Sequence, residues 1–183
     1  MGQLDHLLEK NRAWADGIKA QDPQFFHRLS NQQAVLQFAI EVLKVKHILV
    51  VGHYGCGGVR AAMLNQGFGL ISNWLRHVQD VRDRHQQVLD ALPNVQDRVD
   101  RLCELNVVEQ VGHVCQNNIV QEAWKRGQTL TVHGFVYDVA DGILRDMGLS
   151  VASEEDRERV RQNSIDELVQ RPVRSGRQKT VQY

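Results

Sequence analysis

The chain has 183 residues and a mass of 20.9 kDa, one domain's worth on the rough scale of ~100–200 residues per domain. A hydrophobic content of 42% excludes wholesale disorder, and 22 Lys+Arg against 22 Asp+Glu leave no net charge to drive nucleic-acid binding in bulk. The longest apolar runs, such as Ile48 to Val51, fall far short of the ~20 residues that a membrane-crossing helix needs.

In chain order, Leu4, Leu7, Leu8, Trp14 and Ile18 recur at helical steps and predict a helix with one apolar stripe, stopped before Asp22-Pro23. Pro23 suits the first turn of a short helix to Leu29. Ala34 to Val45 is apolar around most of its circumference and reads as a helix buried on several sides. Ile48 to Val51 is a β-branched run of the kind found in parallel sheets covered on both faces. It runs into the glycine-rich stretch Gly52-His53-Tyr54-Gly55-Cys56-Gly57-Gly58 and then a helix, VRAAML. Helix, strand, loop and helix are the grammar of an α/β protein, whose sites lie at the carboxyl ends of strands.

Further on, Ile71 to Leu89, Asp97 to Gly112 and Asn118 to Trp124 read as helices, the last closed by Lys125-Arg126-Gly127. Thr129 to Val139 alternates and predicts a second strand, Asp141-Gly142 a turn, and Leu149 to Ala152 a short edge strand. Ser153 with Asp156 resembles a capping box opening a charged helix to about Leu168. We expect residues 1–170 to form one domain, with a helical arm over 1–30, and residues 171–183 to form a basic, solvated tail.

His53-x-x-Cys56 is the sharpest chemical feature. Imidazole nitrogen and thiolate sulfur are both good Zn²⁺ ligands, and a three-residue step lets both face one ion. Two readings stand: half of a zinc site, or a histidine bonded to backbone beside a buried thiol. A phosphate-cradling loop fits poorly, because the Lys-Ser/Thr of a P-loop is missing. Three irregularly spaced cysteines, Cys56, Cys103 and Cys115, argue against a disulfide scaffold. Together with a first ten residues that lack a secretory signal, they predict a cytoplasmic protein.

The stretch VLKVKHILVVGHYGCGGVRAAM closely resembles β-class carbonic anhydrases of the bacterial type. So do LCELNVVEQV (Leu102 to Val111), AWKRGQTLTVHGFVYDVADG (Ala123 to Gly142) and NRAWADGIKAQDPQFF (Asn11 to Phe26). The resemblance implies an α/β fold with a central, mainly parallel sheet flanked by helices, homodimers or larger assemblies, and no nucleic-acid or membrane partner. It further implies reversible hydration of CO₂ to bicarbonate by zinc-bound hydroxide. By resemblance, His53 and Cys56 match two of three protein zinc ligands, and Gly57-Gly58 the glycines after them.

The family also carries a Cys-x-Asp-x-Arg segment ahead of the helix that matches Ala34 to Val45. No such segment occurs here, and Gln33 runs straight into Ala34. The resemblance therefore implies a chain short of one cysteine ligand, of an Asp–Arg pair that gates the fourth zinc position, and of two strands. Two functions follow as alternatives: a carbonate dehydratase, or an impaired member acting as an interaction or regulatory subunit. The bare strand edge left by such a gap predicts self-association or poor solubility.

Other residues have plainer expectations. Tyr137 matches a tyrosine of a regulatory bicarbonate site in some bacterial members, and with its companions missing it is expected to pack with a satisfied hydroxyl. Trp14 and Trp74 are expected as core or dimer anchors, Trp124 as packed, and Cys103 as a core cysteine. Cys115 is a weak substitute for the third ligand. His77, His85, His113 and His133 show no carboxylate or cysteine partner at ligand spacing, so positions at the surface or behind a metal ligand are expected, with proton shuttling a minor option.

Overall fold

The computed structural model describes residues 32–67 and 69–173, with Ala13, Asp16, Gly17 and Ala20 as isolated helical positions before them. The helices expected over Leu4 to Ile18 and Pro23 to Leu29, Trp14, and the tail beyond Val173 lie outside the described residues. The chain divides into two compact units, Met1–Val45 and Lys46–Tyr183.

In the first unit, α1 (Gln32–Gln37) widens into a π-helical turn over Phe38–Val42. The Leu43 amide bonds the Phe38 carbonyl at 3.0 Å, five residues back, and Gln37 Nε2 donates to Glu41 Oε2 at 2.8 Å. Lys44 then takes a left-handed conformation (φ 54°), so the helix ends before the expected Val45.

The second unit contains the sheet. β1 (His47–His53) leads to α2 (Gly57–Met63), α3 (Ile71–Arg84), α4 (Gln86–Asp90), α5 (Val95–Gln116) and α6 (Asn118–Lys125). The chain then enters β2 (Thr131–Asp138) and β3 (Ile143–Val151) and closes with α7 (Glu154–Gln170). The strand order is β1-β2-β3. β1 and β2 are parallel, as a helical crossover requires, while β2 and β3 form an antiparallel hairpin. The sheet is thus mixed within an α/β fold.

Three predicted elements change shape. The single helix expected over Ile71 to Leu89 breaks at His85, because this residue turns inward: its ring is buried and its Nε2 lies 2.8 Å from Glu109 Oε1. The burial of that ring corrects the surface position expected for His85. The edge strand expected over Leu149 to Ala152 is the far end of the longer β3. Its register with β2 jumps from Gly134↔Leu149 to Phe135↔Asp146, leaving Met147 and Gly148 in a bulge. Gly148 (φ 71°) makes that bulge, and Asp146 Oδ1 accepts its N–H at 2.8 Å. The helix expected over Asp97 to Gly112 is longer at both ends, starting at the Asn94 cap, whose Oδ1 accepts the Asp97 amide at 2.8 Å.

The core lies between α5 and one face of the sheet. Leu102, Leu105, Val107, Val108 and Val111 of α5 are buried with Val132, Val136, Leu149 and Val151. Glycines let helix and sheet meet: a Cβ on Gly52 would stand 2.5 Å from Val107 Cγ2, and one on Gly134 would stand 2.7 Å from Leu149 Cδ2. α7 packs on α5 and β3. It starts as expected, with Ser153 Oγ accepting the Asp156 amide at 3.3 Å.

The opposite sheet face is open. Alternation along β1 sends His47, Leu49, Val51 and His53 to it, with Leu49 and Val51 each half exposed (50% and 51%). β1 is also an edge strand among the described residues. Both observations agree with the bare edge expected from the sequence.

Candidate metal loop

The loop starts where β1 ends. Its ladder to β2 extends one residue past the strand, through the Tyr54 amide and the Tyr137 carbonyl (3.0 Å). Gly55 then reverses the chain in the left-handed region (φ 72°), and Cys56 takes extended dihedrals as the residue before α2. The Cys56 carbonyl accepts the first helical bond, from Arg60 N at 3.0 Å. A turn of this length and hand brings His53 and Cys56 onto one loop at the carboxyl end of a strand.

His53 is oriented for a ligand. Its Nδ1 donates to the Tyr54 carbonyl at 3.0 Å, which leaves Nε2 with its lone pair outward. The Cys56 thiol is half-buried, unoxidised, and caps no backbone group. A Cβ on Gly57 would meet nothing within 4 Å, so the space beside the first turn of α2 is open. Gly58 is the tighter position: a Cβ there would stand 3.2 Å from Leu75 Cδ2.

The loop rests on α5. Cys103 of α5 is buried, and burial pushes the pKa of its thiol up to about 12. Cys103 is therefore a core cysteine, as expected. The Tyr54 hydroxyl donates to Glu104 Oε1 at 2.6 Å, and Arg171 Nη2 donates to the same oxygen at 2.8 Å. Arg101 completes the cluster: its Nε lies 3.2 Å from Glu104 Oε2, and its Nη2 donates to the Arg171 carbonyl at 2.7 Å. Burial first, then the Glu104 charge, raises the Tyr54 pKa well above the usual phenol range, so the hydroxyl stays a donor. Sequence reasoning missed this Tyr54–Glu104 support, because fifty residues separate its partners.

The donors present are of the right type for zinc, but their number falls short. No group of three or more His, Cys, Asp or Glu side chains able to hold a metal occurs among the described residues. Cys115 cannot complete the set. It is fully buried, burial pushes its pKa up to about 12, and it lies twelve residues beyond Cys103 on α5, about 18 Å along the axis. The other expected residues are scattered. Tyr137 lies opposite His53 on β2 but is 37% exposed on the open sheet face, so the packed aromatic expected from the sequence is corrected. Trp74 is 73% exposed and forms no part of the core, whereas Trp124 Nε1 donates to the Leu130 carbonyl at 2.8 Å. His133 bonds other side chains, described below.

A mixed sheet layered on one face by helices, with a His-x-x-Cys turn at the carboxyl end of its first strand, defines an α/β protein with a candidate metal loop. Residues 18–144, more than half of the chain, match the family model for carbonic anhydrase, and the chain belongs to the β-class carbonic anhydrase family. A carbonic anhydrase of Emericella nidulans is 32% identical over 190 residues, covering 79% of this chain and 83% of that protein. One of Candida albicans is 33% identical over 130 residues, covering 69% of this chain but 45% of the relative. A solved Coccomyxa β-carbonic anhydrase in complex with acetazolamide matches 91% of this chain and 98% of its own, at 29% identity and a TM-score of 0.66. A structure describing two tetrameric β-carbonic anhydrases of Sordaria macrospora matches 81% of this chain at 28% identity and a TM-score of 0.58.

Proposed function

We propose that this chain serves the CO₂/bicarbonate chemistry of its family through an incomplete zinc site. His53 and Cys56 supply two donors, and the third comes from another polypeptide. The observation that carries this reading is the His53 Nδ1–Tyr54 carbonyl bond, which fixes the tautomer a metal-binding histidine requires. Membership of the family adds the substrate class. A zinc ion held by three protein ligands would supply a water acidic enough to ionise near neutral pH. This chain's own residues contribute less: β1 and Gly55 set the loop, and Tyr54 and Glu104 anchor it to α5.

The length of the match supports a shortened chain. The alignment to the Emericella protein runs over 190 residues, longer than this 183-residue chain, while using only 79% of it. We infer that the isolated subunit is impaired in CO₂ hydration and that association is part of its function. The half-exposed Leu49 and Val51 on the edge strand, and a solved relative described as tetrameric, support an oligomer. Three free cysteines fit a reducing, cytoplasmic setting. Among the described residues no helix is long and apolar enough to cross a membrane.

The test is zinc content measured beside CO₂ hydration on the purified full chain, fractionated by size. Zinc and hydration found only in the oligomer support the proposal. A folded oligomer with neither zinc nor hydration would leave the non-catalytic subunit as the function.

A further inference from the structure

The metal loop is not where the structure brings imidazoles together. At the other end of β1, His47 Nδ1 lies 3.0 Å from His133 Nε2 on β2, and the two ring centroids are 5.2 Å apart. The register explains the meeting. His133 pairs with Leu49, two residues along from His47, so the two histidines are diagonal neighbours on the open sheet face. Ser150 of β3 lies directly opposite His133, and its Oγ is 2.8 Å from His133 Nδ1.

From this geometry we propose that His47 and His133 form a two-histidine site for a borderline divalent transition-metal ion, separate from the His53–Cys56 loop. Two nitrogens bound to one ion at ~2.0–2.1 Å sit roughly 2.9–3.4 Å apart, and the observed separation is 3.0 Å. Ser150 plays the outer role. When its oxygen accepts the Nδ1–H of His133, the Nε2 lone pair is turned toward His47. His47 is exposed, so its ring can rotate and shift its proton from Nδ1 to Nε2 through solvent, leaving two lone pairs to converge on the ion. Water fills the remaining positions on the open face. Imidazole donors with open water positions suit copper, nickel and zinc. Six residues of strand separate His47 from His53, about 20 Å, so the two sites fill independently.

The test is calorimetric titration of the full chain with Ni²⁺ near neutral pH, in wild type, Cys56→Ser, and Cys56→Ser carrying His47→Ala, His133→Ala or both. Circular dichroism checks the fold of each variant, and the exposed His47 is the variant least able to disturb it. A nickel site persists in Cys56→Ser. Either histidine substitution weakens it at least ~10-fold, and the double substitution adds little, because one missing ligand already breaks the chelate. Ser150→Ala weakens it roughly 10-fold. Loss of all nickel binding in Cys56→Ser, full retention in His47→Ala, or independent, additive losses from the two histidines would each overturn the site. The first of those results would still leave the zinc loop standing, so the two proposals fail separately.

Discussion

Gly52 and Val107 are in contact so close that a single added methyl on the glycine would stand 2.5 Å from Val107 Cγ2. The strand that delivers His53 is thereby pressed onto the helix that supports the metal loop. We expect Gly52→Ala to destabilise the protein by ~1–3 kcal/mol through overpacking. Adding Val107→Ala should recover part of that loss, because the crowded methyl is removed. Urea denaturation of the two single variants and the double variant reads the coupling. Additive losses would show that the contact does not limit the packing.

Tyr54→Phe removes the hydroxyl that reaches Glu104 Oε1 at 2.6 Å. A buried hydrogen bond to a charged group is worth ~1.5–3 kcal/mol, and the loss should appear in denaturation. The His53–Tyr54 carbonyl bond is made by backbone and survives. Stability should therefore fall while the affinity of the loop for zinc changes little. A large fall in zinc affinity at unchanged stability would assign Tyr54 to the metal site itself.

The second buried ionic cluster sets the acid response. Burial alone would raise the pKa of Glu109, but the His85 hydrogen bond and the Arg161 and Arg84 guanidinium groups outweigh it and hold the carboxyl at about 2. A depressed folded pKa contributes stability that is present above the unfolded value and lost as pH falls toward the folded one. The loss belongs between about pH 4.5 and about pH 2, and the full contribution is present at neutral pH. Thermal melts over that range should show a steep fall in the wild type and a shallower one in Glu109→Gln. The variant should also be less stable at neutral pH, where Arg84, Arg161 and the His85 ring lose their carboxylate partner.

Much of this was legible in the sequence where the signal was local. The Ile48 to Val51 strand, the glycine-rich turn after it and the Ser153–Asp156 cap each depend on near neighbours and each formed, although one face of that strand is open where its apolar run predicts cover on both. The His-x-x-Cys pair was legible for the same reason. Contacts over long separations were not. His85 breaks its helix to meet a carboxylate twenty-four residues away, and nothing in the local pattern marks that partner. The full length of β3 was hidden by Arg145, Asp146 and Gly148, which read as loop but fill an edge strand and its bulge. Tyr137 misled because its apolar pattern predicts packing, whereas the described fold leaves its face open, and Trp74, itself exposed, keeps only the dimer-anchor half of its expectation.

That open face has its own consequence. Leu49→Lys with Val51→Lys puts charge along the exposed edge of β1 without touching the α5 side of the sheet. Light scattering should show less self-association and higher solubility than the wild type. A wild-type chain that runs as a monodisperse, highly soluble monomer would contradict the oligomer.

The most direct measurement is zinc per chain in a size-separated monomer after exhaustive dialysis, repeated with Cys56→Ser and with Cys115→Ser. Two donors on one loop hold zinc weakly, so the monomer should retain well under one ion per chain. The share held by the loop should be lost in Cys56→Ser, lowering the zinc that remains, and be unaffected in Cys115→Ser. One tightly held zinc per monomer, with a third side chain of the same polypeptide on the ion, would contradict the incomplete site.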